Sequence, residues 1–304
     1  PDTHPMTLFS QAIMALQRES IFARLYHDGL PRVDYWDSFV EDSLNLTAKL
    51  PELAAHIYNM KCCGGMQTPP DPNLDWGASF AHMIGKGDDP EYMELSRLFF
   101  LLHSDHEGAN VSAHASHLVC SALSDVYLSC SAGMNGLAGP LHGLANQECL
   151  RWLLGVENHF QGLPSETDLR DYLWQELSDN KLIPGYGHAV LRVTDPRFTA
   201  QYEFAKKYLP DDPIFQLVDR VYHVLPELLT RMEKVKNPWP NVDAINGALQ
   251  YHYGVTQFDM YTVLFGVSRM LGLTAHAVWS RALGKPIERP KSLTTKMLED
   301  MVHQ

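Results

Sequence analysis

Apolar residues recur at the spacing of one helix face through most of this chain. From Met6 to Tyr26, the residues Phe9, Ile13, Leu16, Ile21 and Leu25 keep that period. Tyr35 to Leu50 continues it until Pro51, which predicts a stop, and a second helix is expected from Glu52 to about Cys62. Glycine and proline between Gly64 and Pro72 predict a loop. Asp89-Pro90 then introduces another apolar helix, Glu91 to His103. Asn110 to Ala132 reads as one central helix with little side-chain bulk, because Ser112, Ala113, Ala115, Ser116, Cys120, Ser121 and Ala122 are all small. Small residues let helices approach closely, here plausibly across a dimer interface. Strand-like alternation, internal repeats and low-complexity tracts are missing. The pattern predicts an all-α, multi-helical enzyme.

Three glycine- or proline-flanked motifs punctuate these helices: Gly139-Pro140-Leu141-His142-Gly143, Pro184-Gly185-Tyr186-Gly187-His188 and Asn241-Val242-Asp243-Ala244. Glycine lets backbone approach a ligand closely, and proline fixes the entry of the chain. Two imidazoles and a carboxylate suffice to remove a proton beside a carbonyl and steady the enolate. Asp243 follows the rigid Asn237-Pro238-Trp239-Pro240, and in a dry cleft its raised pKa would suit a general base. The more ordinary reading of such an aspartate is an Asx turn or helix N-cap. His142 precedes a helix-forming run, where a helix N-terminus would keep it neutral; a capping role without chemistry suits it equally. His188 closes a loop whose exposed backbone suits a planar ring.

Composition narrows the partners. Lys+Arg 24 against Asp+Glu 36 gives a formal net charge of −12, which argues against nucleic acid or an anionic membrane. No stretch approaches the ~20 apolar residues of a membrane span. Cys62, Cys63, Cys120, Cys130 and Cys149 are odd in number and lack CxxC spacing, so free thiols in a reducing compartment are expected. Pro1-Asp2-Thr3-His4-Pro5 reads like the interior of a longer protein, so a preceding segment and any targeting signal are expected to be missing.

Anionic substrates then need local arginines. Arg197, Arg269 and Arg289 each sit near a motif or turn, and guanidinium groups grip carboxylates in two-point fashion. A rival set is the two HxxH pairs, His103/His106 and His114/His117. Neither HExxH nor cysteine ligands accompany them, and no metal is expected.

The motifs together resemble the citrate synthase family in its eukaryotic, mitochondrial type. Supporting runs are Ser104-Asp105-His106-Glu107-Gly108, Asn110-Val111-Ser112-Ala113-His114, Met134 through Gly143, and Tyr261 through Arg269. The resemblance implies a large helical domain (1–143 and 255–304) with an inserted smaller helical domain (144–254). It implies an acyltransferase: Asp243 removes a methyl proton from acetyl-CoA, His142 hydrogen-bonds the thioester oxygen, His188 polarises the ketone of oxaloacetate, and citryl-CoA is hydrolysed. It assigns oxaloacetate or citrate to His106, His188, Arg197 and Arg269, with Arg289 reaching in from the partner of a homodimer with shared active sites. Coenzyme A falls to Ile183, Pro184, Gly185, Tyr186 and Gly187, with Arg192 and Arg32 near phosphates. No cofactor is implied, since acetyl-CoA is a substrate, and the mitochondrial matrix is the implied compartment. One departure is Ile245-Asn246, where the family commonly has His-Ser. It keeps a propionyl-CoA-using 2-methylcitrate synthase open as an alternative, and a catalytically silent homologue is a further one.

Overall fold

The computed structural model describes residues 2–187, 190–232, 236–290 and 292–302. Fourteen α-helices run through them: α1 Pro5–Ala15, α2 Ile21–His27, α3 Tyr35–Cys62, α4 Trp76–Ala81, α5 Pro90–Leu102, α6 Val111–Ser121, α7 Val126–Leu137, α8 Ala145–Phe160, α9 Glu166–Ser178, α10 Pro196–Tyr208, α11 Pro213–Arg231, α12 Asp243–His252, α13 Tyr261–Ala282 and α14 Thr295–Val302. Among the described residues there is no β-strand, and extended pairing is limited to an isolated antiparallel bridge between Tyr186 and Pro240. The fold is all-α, as the periodicity predicts.

Helix boundaries follow short polar side chains that accept the first free backbone N–H groups, as Asp89 does for α5, Asn110 for α6 and Asp195 for α10. Two expectations about boundaries are corrected for this reason. The pattern from Met6 to Tyr26 is divided, because Ser20 accepts from Ala23 and starts α2 afresh. The stretch Asn110 to Ala132 is two helices: Leu123 adopts a left-handed φ of 66° and Asp125 caps α7.

A third correction concerns Pro51, which does not stop the helix. Residues Tyr35 to Cys62 form one helix with Pro51 inside it. Proline lacks the N–H that would bond Thr47, four residues back. The Trp76 indole Nε1–H donates to that freed Thr47 carbonyl at 2.9 Å. A partner 29 residues away therefore keeps the helix intact.

Helices α6 and α7 fold back on each other and pack with α1, α3 and α13. The small residues act here: a Cβ on Gly133 would stand 3.0 Å from the Ser112 carbonyl and 2.8 Å from Leu273. A second set gathers α8 with α12 and α11, α9 with α11, and α10 with α12. Contacts of α5 with α10, and of α13 with α8, join the two sets. The three motifs meet at that join. No helix among the described residues is long and apolar enough to cross a membrane.

Candidate active site

A cavity of about 430 Å³ opens at the join, lined by His106, His142, Arg197, Asp243 and Arg269, with Phe265 forming one wall. Residues up to 163 positions apart in sequence thus share one space.

Asp243 is the first residue of α12, and it is Asn241, not Asp243, that makes the Asx turn: its Oδ1 accepts the Asp243 backbone N–H at 2.9 Å. No hydrogen-bond donor among the described residues reaches the Asp243 carboxylate. Burial pushes that carboxyl up to about 6, against the opposing pull of Arg197. The lead-in is locked to the glycine loop: Asn241 N–H donates to the Gly185 carbonyl at 2.9 Å, and Asn241 Nδ2 donates to the Gly187 carbonyl at 3.1 Å. Gly185 sits at φ +80°, and a Cβ there would lie 2.7 Å from Ala244 Cα. Only glycine fits this conformation without strain.

His142 is held on a loop that also depends on glycine, since a Cβ on Gly143 would stand 2.3 Å from the Leu137 carbonyl. The Thr262 hydroxyl donates to the Gly143 carbonyl at 3.0 Å and pins this loop to α13. The imidazole is half-buried, and its Nε2 accepts the backbone N–H of Ser112 at 3.3 Å. The same Nε2 lies 3.0 Å from the Ser112 hydroxyl, which donates to Asn110 Oδ1 at 2.7 Å. Burial, with Arg269 and His106 nearby, brings the imidazole down to about 4. The neutral state was expected, but the helix responsible for the contact is α6, not α8.

Arg269 is 1% exposed; its Nε donates to the His103 carbonyl at 3.3 Å. Its Nη1 and Nη2 are buried with no hydrogen-bond partner among the described residues. Its guanidinium carbon lies 4.6 Å from the Phe265 ring centroid. Burial lowers its pKa to about 10, with Arg197 adding to the effect. Two buried guanidinium nitrogens side by side have the geometry to grip a carboxylate in two-point fashion. Arg197 stands beside it, gripped by Asp195 through Nη2 at 2.7 Å and Nε at 3.0 Å. Burial alone would raise the Asp195 carboxyl, yet the Arg197 fork holds it below the usual range. Asp195 also accepts the Val242 N–H at 3.2 Å, which ties this arginine to the approach to Asp243. His106 is paired with Glu107 at 3.0 Å.

A second cavity of about 430 Å³, more apolar, is lined by the Ile183–Tyr186 loop, Leu229 and Met232. It shares Ala145 and Asn241 with the first cavity. Other expected residues are not brought in. His188 lies outside the described residues. Arg192 and Arg289 are exposed and line neither cavity. Arg32 donates to the Gly284 carbonyl at 3.0 Å and lines a separate cavity with Arg281 and Lys285. The HxxH pairs do not converge: His103 is buried, His106 meets Glu107 and His117 meets Glu288. No group of three metal-ligating side chains forms among the described residues. Ile245 is fully buried in the core and lines neither cavity. Motif reading missed Ser112 and Asp195; the Asp-Pro-Arg run around Arg197 was the available signal for the latter.

The family "Citrate synthase, C-terminal domain" matches residues 1–291. The chain belongs to the citrate synthase family. It is 56% identical over 302 residues to the "Probable citrate synthase, mitochondrial" of Glossina morsitans morsitans, covering 99% of this chain and 65% of that protein. It is 54% identical over 297 residues to the "Citrate synthase, mitochondrial" of Daucus carota, covering 98% and 63%. The chain therefore spans just under two thirds of the length of these curated relatives. Among solved structures, the citrate synthase from Pyrobaculum aerophilum is 27% identical with a TM-score of 0.82, covering 96% of this chain and 71% of that one. That from Thermotoga maritima MSB8 is 25% identical with a TM-score of 0.71, covering 93% and 78%.

Proposed function

We propose that the chain carries out the citrate synthase reaction: it condenses acetyl-CoA with oxaloacetate and hydrolyses citryl-CoA to citrate and CoA. One observation carries the reading: a raised carboxyl (Asp243), a neutral imidazole (His142) and an unpartnered guanidinium (Arg269) open onto the same cavity.

A thioester α-proton is too weakly acidic for a lone carboxylate. Asp243 takes that proton while His142 hydrogen-bonds the thioester oxygen as it gains charge, which steadies the enolate. The new nucleophile attacks the ketone carbon of oxaloacetate, whose oxygen His188 polarises in this reading. The oxaloacetate carboxylates rest on Arg269, Arg197 and His106, and on Arg289 of the partner subunit of a homodimer. Water then cleaves citryl-CoA. The second cavity takes part of coenzyme A, with Ile183, Pro184, Gly185, Tyr186 and Gly187 around the adenine and Arg192 and Arg32 toward phosphates. Ordered binding follows if the small domain (144–254) closes over oxaloacetate against the large domain (1–143 and 255–304). The reading calls for no cofactor. The mitochondrial names of the relatives support the mitochondrial matrix as its compartment.

The test is CoA release with oxaloacetate, comparing acetyl-CoA and propionyl-CoA. A strong acetyl preference is expected. Comparable propionyl turnover would make the chain a 2-methylcitrate synthase, and no turnover of either would leave a silent homologue.

A further inference from the structure

Behind the site wall lies a buried histidine that the reaction does not use. His103 ends α5, is 0% exposed, stacks on Phe99 with centroids 4.3 Å apart and meets Phe265 edge-on at 5.3 Å. Its Nδ1 is 2.8 Å from the Phe99 carbonyl. A carbonyl only accepts, so Nδ1 carries the proton and Nε2 offers a lone pair. Asn246, one turn beyond Asp243 on α12 and 1% exposed, places its Nδ2 3.0 Å from that Nε2. The ring tautomer therefore orients the amide: Nδ2 donates to the ring, and Oδ1 is left buried without a partner. A burial-driven pKa of about 3, with Arg197 and Arg269 close by, keeps the ring neutral. The His103 main-chain carbonyl accepts from Arg269, and the loop it opens carries His106.

Building on the citrate synthase reading, we infer that His103 and Asn246 form a positioning clamp, which holds the base-bearing helix α12 in register with Arg269 and the His106 loop. The bond spans 143 residues and joins the two sets of helices behind the cavity wall. An apolar pair would fill the same space without leaving an amide oxygen unsatisfied, so folding alone gives no reason for Asn246. Its amide fixes where Asp243 sits. Neither residue touches the substrates; both act through Asp243 and Arg269.

The test is Asn246→Leu beside His103→Phe, which keeps an aromatic ring between Phe99 and Phe265, and the double variant, all in the full chain. Misplacing a reacting group by about 1 Å costs on the order of 100-fold, so a fall in kcat of at least about tenfold is expected for Asn246→Leu. Its Tm should fall, because the buried Nε2 of His103 loses its donor, and the double variant should recover that Tm, because neither buried polar group remains. Oxaloacetate affinity, read by calorimetry without acetyl-CoA, should change less than about threefold, since the Arg269 bond to His103 is main-chain. The double variant should fall no further than the worse single one. An unchanged kcat in Asn246→Leu, a kcat that recovers together with Tm in the double variant, or additive losses would each overturn the clamp. An unaltered chain that releases no CoA would instead sink the citrate synthase reading, and the clamp with it.

Discussion

The Nε2 of His142 accepts the backbone N–H of Ser112, two residues into α6, at 3.3 Å. The same nitrogen lies 3.0 Å from the Ser112 hydroxyl, so two contacts hold the ring against the start of α6. His142→Ala should lower kcat by about 10²–10³, the usual loss when an oxyanion donor is removed. Oxaloacetate affinity should stay within about threefold, because in the proposed reading that ligand is held by Arg197 and Arg269. Steady-state kinetics beside calorimetry separates the two, and a variant that loses affinity while keeping kcat would remove His142 from the thioester.

Asp243 sets the acid limb of activity. With its carboxyl at about 6, the ionised base is lost as pH falls through that value, and kcat should drop about tenfold per pH unit below it. His142, at about 4, stays neutral across that range and adds no second limb. The linkage sign follows from the raised folded-state pKa. Asp243 favours the folded state while protonated, and this contribution is lost as pH rises from about 4 to about 6. Asp243→Asn should therefore abolish CoA release and stabilise the fold by about 3 kcal/mol at pH 8, with the gain vanishing by pH 4. Thermal melts at both pH values check the sign.

Arg269 is a buried charge with no ion pair among the described residues. Arg269→Met should raise Tm in the absence of ligand, because an unpaired buried cation is replaced by apolar volume. Oxaloacetate binding should weaken by on the order of 100-fold or more, in line with the 2–5 kcal/mol that a buried, hydrogen-bonded charge pair carries. Saturating oxaloacetate should stabilise the unaltered chain by about 2.7 kcal/mol at 100 times its Kd and should leave the variant unmoved. A variant that still melts higher with oxaloacetate would place the anion elsewhere.

Local pattern reached the helices but not their joints. Pro51 carries a correct local message, a lost N–H, and the structure answers it from Trp76. In the stretch Asn110 to Ala132 the helical period persists, while Leu123 and Asp125 break it through a backbone angle and a cap that periodicity does not register. The same division holds in the site. Asp243, His142, Arg197 and Arg269 could be found because glycine, proline and arginine around them leave marks in sequence. Ser112 and the His103–Asn246 pair could not, because their meaning lies in partners 30 and 143 residues away. Arg289, which the resemblance assigns to the partner's site, stays apart from the cavity within one chain, and Arg32 lines a separate cavity.

The Pro51 arrangement has its own consequence. Trp76→Phe keeps the ring that stands 5.0 Å from Phe100 but removes the donor to Thr47. A half-buried carbonyl is then unsatisfied, and stability should fall by about 1–2 kcal/mol. Pro51→Ala restores the helical N–H and should rescue most of that loss. Urea melts of the two single variants and the double variant read the coupling; simple additivity would break the link between Pro51 and Trp76.

Gly185 joins the apolar cavity to the base. Its carbonyl accepts the Asn241 N–H, and its φ of +80° together with a 2.7 Å approach to Ala244 Cα leaves no room for a methyl group. The obstacle is main chain, so it cannot swing aside as a flexible side chain would. Gly185→Ala must then either shift the Ile183–Tyr186 loop or push the start of α12, where Asp243 sits. The left-handed φ adds about 1 kcal/mol of strain for a residue with a Cβ. In either case kcat should fall by about tenfold or more, and the KM for acetyl-CoA should rise, while oxaloacetate affinity at Arg269 is preserved. Steady-state kinetics with each substrate varied in turn, beside calorimetry with oxaloacetate alone, distinguishes these effects. Wild-type kinetics in Gly185→Ala would mean that the loop and the base helix yield independently, and the close packing of the two motifs would then have no catalytic consequence.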